Sequence, residues 1–203
     1  MTRVKICGIT RVEDAKAALD AGADAIGLVF AKSPRQVSLK QAQKISRAVG
    51  PWMTVVGVFV NEKPNVIRRV TEGCGLTAVQ LHGQESQQEI QALRGIKTIK
   101  AFRVENKGDL RGLARYNTDA FLFDAKAPGL YGGTGICFDW ALLKGLRLRA
   151  PWILSGGLSV RNVREALKTL SPYGVDVSSG VEKSPGIKDL KLVREFIRIA
   201  KKS

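Results

Sequence analysis

Two residues stand where acid–base chemistry would need them. Cys7 closes the apolar run Val4-Lys5-Ile6-Cys7, and Asp124 ends Ala120-Phe121-Leu122-Phe123. A thiol acts as base or nucleophile only as the thiolate, which needs local positive potential to bring its pKa down from about 8.5. Otherwise a lone cysteine is a small buried hydrophobe. A carboxyl that terminates an apolar strand is costly to bury without a purpose. Its apolar flank would raise its pKa and suit it to act as a general acid. Its plainer role is a cap or an ion pair with Lys126. Three glycine-rich turns accompany these residues: Gly132-Gly133-Thr134-Gly135, Ser155-Gly156-Gly157 and Ser178-Ser179-Gly180. Glycine admits close backbone approach, and successive amides with helix N-termini make an anion cradle. Arg35, in Lys32-Ser33-Pro34-Arg35, could hold a carboxylate by two parallel hydrogen bonds or remain a solvated loop cation. His82, the only histidine, ends Gln80-Leu81-His82 and either contacts a ligand or is an ordinary satisfied polar residue. Asp176 lies inside an apolar run, where it could face inward and orient a neighbour.

Something must bring these residues together, and the chain has a rhythm that would. Eight short apolar runs recur: Val4–Cys7, Ala25–Phe30, Thr54–Val60, Ala78–Leu81, Thr98–Val104, Ala120–Phe123, Trp152–Leu154 and Val175–Val177. Their spacing of roughly 20–30 residues suits strands of a parallel sheet with intervening helices. Capping boxes at Thr10–Glu13, Ser38–Gln41 and Ser86–Glu89 announce helices, as does Ser159 before Val160–Leu170. Gly22 and Gly73 mark expected stops. No GxGxxG follows the first run, so a dinucleotide-binding open sheet is disfavoured. The expected fold is an α/β protein, a closed (β/α)8 TIM barrel forming a single domain over residues 1–203, with chemistry at the C-terminal ends of the strands. Turns after the seventh and eighth strands then coincide with the barrel phosphate site.

Composition bounds the partners. The 203 residues carry 33 Lys+Arg against 18 Asp+Glu, a net charge of +15. The cations are dispersed, which suits a solvated surface, and aromatics are only 6%. A nucleic-acid interface would need a contiguous cationic face with interleaved aromatics, so none is expected. No apolar stretch reaches the roughly 18 residues of a membrane helix, and Met1–Ile9 has no secretory apolar core. Three cysteines without CxxC spacing argue against a disulfide framework or metal site and for a reducing, cytoplasmic setting. No cofactor or metal is expected.

At these residues the chain resembles the phosphoribosylanthranilate isomerases of tryptophan biosynthesis. The resemblance is carried by Val4–Thr10, Gln80–Gly83, Phe123-Asp124 followed by Tyr131–Gly135, Leu154–Leu158 and Asp176–Glu182, in that order and spacing. It implies a barrel catalysing the Amadori rearrangement of a phosphorylated aminoaldose, N-(5-phosphoribosyl)anthranilate, to the 1-deoxyribulose 5-phosphate aminoketose. It further implies Cys7 as general base, Asp124 as general acid and Arg35 on the anthranilate carboxylate. Gly133, Gly156, Gly157, Ser179 and Gly180 would hold phosphate, and His82 and Asp176 would lie near substrate. Either a monomer or a homodimer is compatible with a closed barrel. The rival classes are another phosphate-binding barrel, a nucleic-acid binder and an inactive barrel scaffold. A histidine-pathway isomerase resembles an aspartate pair, whereas here the first strand ends in cysteine.

Overall fold

The computed structural model describes residues 1–124 and 140–202. Eight strands form one closed, all-parallel barrel in sequential order. They are β1 (Arg3–Ile6), β2 (Ala25–Val29), β3 (Thr54–Phe59), β4 (Ala78–Leu81), β5 (Lys97–Arg103), β6 (Ala120–Asp124), β7 (Trp152–Ser155) and β8 (Gly174–Val177). β1 pairs with both β2 and β8, which closes the ring. The strands match the eight expected runs within a residue or two.

Outside lie α1 (Val12–Asp20), α2 (Leu39–Val49), α3 (Pro64–Cys74), α4 (Gln87–Gln91), α5 (Val163–Leu170) and α6 (Leu190–Lys202). The capping boxes of Ser38 and Ser86 form as expected. That of Thr10 does not, because its hydroxyl donates to the Gly186 carbonyl and α1 begins after Arg11 without a side-chain cap. Ser159 caps no helix directly: α5 starts after Asn162, whose side chain instead ties back to Ser159 and Gly157. α3 runs through Gly73 and stops at Gly75, which takes the left-handed conformation. Between β5 and β6 the expected helix is replaced by two 3-10 turns, Lys107–Leu110 and Leu113–Arg115. Gly112 between them sits at φ +77°, which no α-helix accommodates.

Two apolar layers hold the barrel. The larger lies between sheet and helices. α6 shows how it is built: Val193, Phe196, Ile197 and Ala200 recur at helical spacing and are buried, while Arg194 and Arg198 face solvent. Burying one such Phe or Ile contributes about 1.5–3 kcal/mol. The second layer is small and fills the barrel interior with Val56, Ala78, Ile99, Ala101 and Leu122. A cavity of about 420 Å³, lined by Arg3, Asp24, Trp52, Thr54 and Tyr173 among others, lies at the opposite end from Cys7 and Asp124. No helix among the described residues is long and apolar enough to cross a membrane.

Candidate active site

Strand alternation positions the site. Side chains two residues apart share a face, so in β1 Lys5 points inward with Cys7 above it, and in β4 Gln80 points inward with His82 above it. The inward row of β6 ends in Leu122 and Asp124, and that of β8 runs Asp176, Ser178. Contacts between non-neighbouring strands confirm the direction. The Lys5 ammonium donates to Gln80 Oε1 at 3.0 Å and to Asp176 Oδ1 at 2.9 Å. β1 and β4 are not adjacent, so the first bond crosses the barrel interior.

From Gln80 the line continues upward. Its Nε2 lies 2.8 Å from His82 Nδ1, and His82 Nε2 lies 3.3 Å from Asp124 Oδ2. Ser155, at the end of β7, donates to Asp176 Oδ2 at 3.1 Å. Lys5, Gln80 and Asp176 are buried, and the Lys5–Asp176 pair has side chains 4% and 6% exposed. Desolvating two charges offsets most of their attraction, so such a pair is weak evidence for stability. A polar ladder in a barrel core is better accounted for by the groups it holds at the rim.

Cys7 is buried beside this ladder. A Cβ on Gly27 of β2 would lie 2.6 Å from Cys7 Sγ and 3.2 Å from Lys5 Cε, so glycine there is what admits both groups. Burial pushes the Cys7 thiol above the ordinary thiol range; Lys5 and Lys188 pull it back and Asp176 pushes it further up. The positive potential expected at this thiol exists, but in the protein alone desolvation outweighs it.

Arg35, in the loop after β2, is held by Glu182. Nε and Nη2 donate to the two carboxylate oxygens at 2.8 and 2.6 Å. Glu182 also accepts from the buried Lys188 at 2.8 Å. Glu182 opens a short antiparallel pair that follows β8, β9 (Glu182–Ser184) with β10 (Ile187–Lys188). Burial raises the Glu182 carboxyl, but the Arg35 and Lys188 cations more than offset it and hold it below the usual range.

The two described glycine turns meet. Gly156 and Gly157 take positive φ after β7. A Cβ on Gly180 would collide with the Leu158 carbonyl, so the turns after β7 and β8 are in direct backbone contact. Ser178 Oγ is buried between them and Gly8, without a hydrogen-bond partner among the described residues. Gly133 and Cys137 lie outside the described residues. Among the described residues, no three His, Cys, Asp or Glu side chains converge as a metal site would require.

Cys7, Arg35, His82, Asp124, Gly156, Gly157, Ser179 and Gly180 thus follow or end their strands at one rim, with Asp176 one layer below. Sequence reading missed Lys5, Gln80, Glu182 and Lys188. For the first two a signal existed: each is a polar residue two places before a rim residue in an otherwise apolar strand.

The family model for N-(5′-phosphoribosyl)anthranilate isomerase matches residues 4–199. The chain belongs to that family. It is 50% identical to the N-(5′-phosphoribosyl)anthranilate isomerase of Rubrobacter xylanophilus over 99% of this chain and 100% of the relative. The crystal structure of phosphoribosyl anthranilate isomerase from Thermotoga maritima superposes with a TM-score of 0.92 at 44% identity, covering 100% of both chains. A second isomerase structure, in complex with reduced 1-(o-carboxyphenylamino)-1-deoxyribulose 5-phosphate, superposes with a TM-score of 0.89 at 41% identity, again over 100% of both chains. As a phosphoribosylanthranilate isomerase, the chain carries out the Amadori isomerisation of tryptophan biosynthesis on a TIM barrel.

Proposed function

We propose that in this isomerisation Asp124 is the general acid and Cys7 the general base. Asp124, protonated, gives its proton to the furanose ring oxygen. The C1–O bond breaks with support from the anilino nitrogen, and a Schiff base forms. Cys7, as thiolate, takes the C2′ proton, leaving an enolamine that tautomerises to the ketone. Asp124 ends the cycle as carboxylate and Cys7 as thiol, so one proton must return between them before the next turnover.

One observation carries this reading: Cys7 and Asp124 end non-adjacent strands, β1 and β6, at the same rim, with the line from Lys5 to Gln80 to His82 spanning the interior between them. Two groups so disposed would bracket a sugar ring bound at this rim. Phosphate on the Gly156, Gly157, Ser179 and Gly180 backbone and the anthranilate carboxylate on Arg35 would fix the ring from its two ends. Such anchoring can supply several kcal/mol of the barrier reduction. A cytoplasmic setting, reducing enough to keep Cys7 a thiol, fits the same chemistry. His82 and Asp176 act by holding Asp124 and Lys5.

Asp124→Asn tests the reading. The amide keeps the shape of the carboxyl but has no acid proton to give. Loss of kcat on the order of 10²-fold or more, with an unchanged melting curve, is expected. Near-normal turnover would remove Asp124 from the acid role.

A further inference from the structure

The line of bonds from Lys5 to Asp124 has a direction, and that direction fixes a proton. An ammonium has three donors and no acceptor. The group of Gln80 that faces Lys5 at 3.0 Å must therefore be its carbonyl oxygen, which turns the amide NH2 toward His82. An NH2 only donates. His82 Nδ1, 2.8 Å away, must then accept and cannot carry hydrogen. A neutral imidazole with a bare Nδ1 holds its proton on Nε2, and Nε2 is the atom that faces Asp124 Oδ2 at 3.3 Å.

We propose that Lys5, acting through Gln80, locks His82 as the Nε2–H tautomer, so that His82 is a fixed donor to Asp124. The other tautomer, and equally the imidazolium, would set two donors against each other between Gln80 and Nδ1. Lys5 is itself held from the far side by Asp176, whose second oxygen Ser155 occupies. The tautomer is thus set by the buried Asp176, Lys5 and Gln80 of β8, β1 and β4, with the half-buried Ser155 of β7 behind them. Toward His82, Lys5 and Gln80 are positioning residues; Lys5 also lies against the Cys7 thiol. One consequence rests on the acid role of Asp124: with Oδ2 accepting from His82, the proton that Asp124 delivers sits on Oδ1. The tautomer itself does not rest on that role.

The chain contains a single histidine, so protein grown with 15N-histidine reports His82 with no assignment step. At a pH where free imidazole is neutral, Nδ1 is expected to resonate as an unprotonated, pyridine-type nitrogen and Nε2 as a protonated, pyrrole-type one. A pyrrole-type Nδ1 in the unmodified protein overturns the proposal. Gln80→Glu supplies the second arm. A carboxylate accepts from Lys5 and from Nδ1 alike, so Nδ1 should become pyrrole-type and kcat should fall on the order of tenfold or more. An Nδ1 still pyridine-type in Gln80→Glu also overturns it. A spectrum in which Nδ1 gains its hydrogen and Nε2 loses it, with undiminished turnover, supports the tautomer lock and tells against Asp124 as the acid, so the two ideas fail separately.

Discussion

Arg35 is not a free loop cation: it grips Glu182 through two parallel N–H···O bonds of 2.8 and 2.6 Å, tying the loop after β2 to the strand pair after β8. The grip uses Nε and Nη2 and aims the rest of the guanidinium, and a bidentate fork is far more directional than a lysine would be. Arg35→Ala leaves Glu182 with Lys188, so the fold should survive. The expected effect is a rise in KM of about tenfold, the size of one lost charge-assisted hydrogen bond, with a smaller change in kcat. An unchanged KM would remove Arg35 from the substrate site.

Acid should loosen this end of the molecule. Glu182 is held below its usual 4.5 because Arg35 and Lys188 outweigh its burial. A carboxylate whose folded pKa is depressed stabilises the fold above its unfolded pKa, and that contribution is lost as pH falls through the lowered one. Asp24 and Asp119, held below their usual 3.8 against the pull of burial by Arg3 with Lys201 and by Lys97 with Thr98, behave alike but are more exposed. Urea titrations should therefore show the stability gap between the native protein and Glu182→Gln to be level near neutral pH and to begin shrinking as pH approaches 4.5. The gap should narrow steadily below that value. A gap independent of pH would show that the ion pairs contribute nothing through ionisation.

Cys7 should prove a reluctant thiolate in the resting protein. Burial drives its pKa above 9.0 despite Lys5 and Lys188. Its alkylation by iodoacetamide, followed peptide by peptide so that Cys74 and Cys137 are read separately, should still be accelerating as pH passes 9.0. A plateau reached well below that pH would mean that the two cations win. Cys7→Ser should lower kcat on the order of 10²-fold or more, since a hydroxyl is a far weaker base. It should still bind a product analogue almost normally. Retained turnover would pass the proton-abstraction role to another group.

The barrel was legible because its signals are local. Eight short apolar runs with helical segments between them leave little choice of topology, and rim chemistry follows from where those runs end. What escaped was everything that depends on which side chains meet across the interior. Lys5 reads in sequence as one charge inside a strand, and only closure of the barrel sets it against Gln80 and Asp176. Glu182 and Arg35 are 147 residues apart, and nothing in either local pattern pairs them. The missing helix after β5 is a different kind of miss: the spacing of the strands implies a helix in every interval, and in this one Gly112, at φ +77°, breaks it.

Lys100 and Glu85 form the most deeply buried ion pair among the described residues whose partners both lie outside the polar ladder, at 2.8 Å with side chains 2% and 1% exposed. Lys100 sits on the outer side of β5 and also donates to the carbonyls of Leu81 and Gly83. Glu85 accepts from the backbone amides of Asn61 and Gly83. Together they brace the loops after β3 and β4, and His82 stands in the second of these. Removing one member of a buried pair strands the other charge at a cost of about 3–5 kcal/mol, whereas removing both can be nearly neutral. Lys100→Met should therefore lower the unfolding free energy by that amount, and Lys100→Met with Glu85→Gln should recover much of it. Activity need not follow. If the pair serves mainly to hold His82 opposite Asp124, the double variant will regain its melting temperature while kcat stays depressed. Full recovery of both would show that the brace is a matter of stability alone.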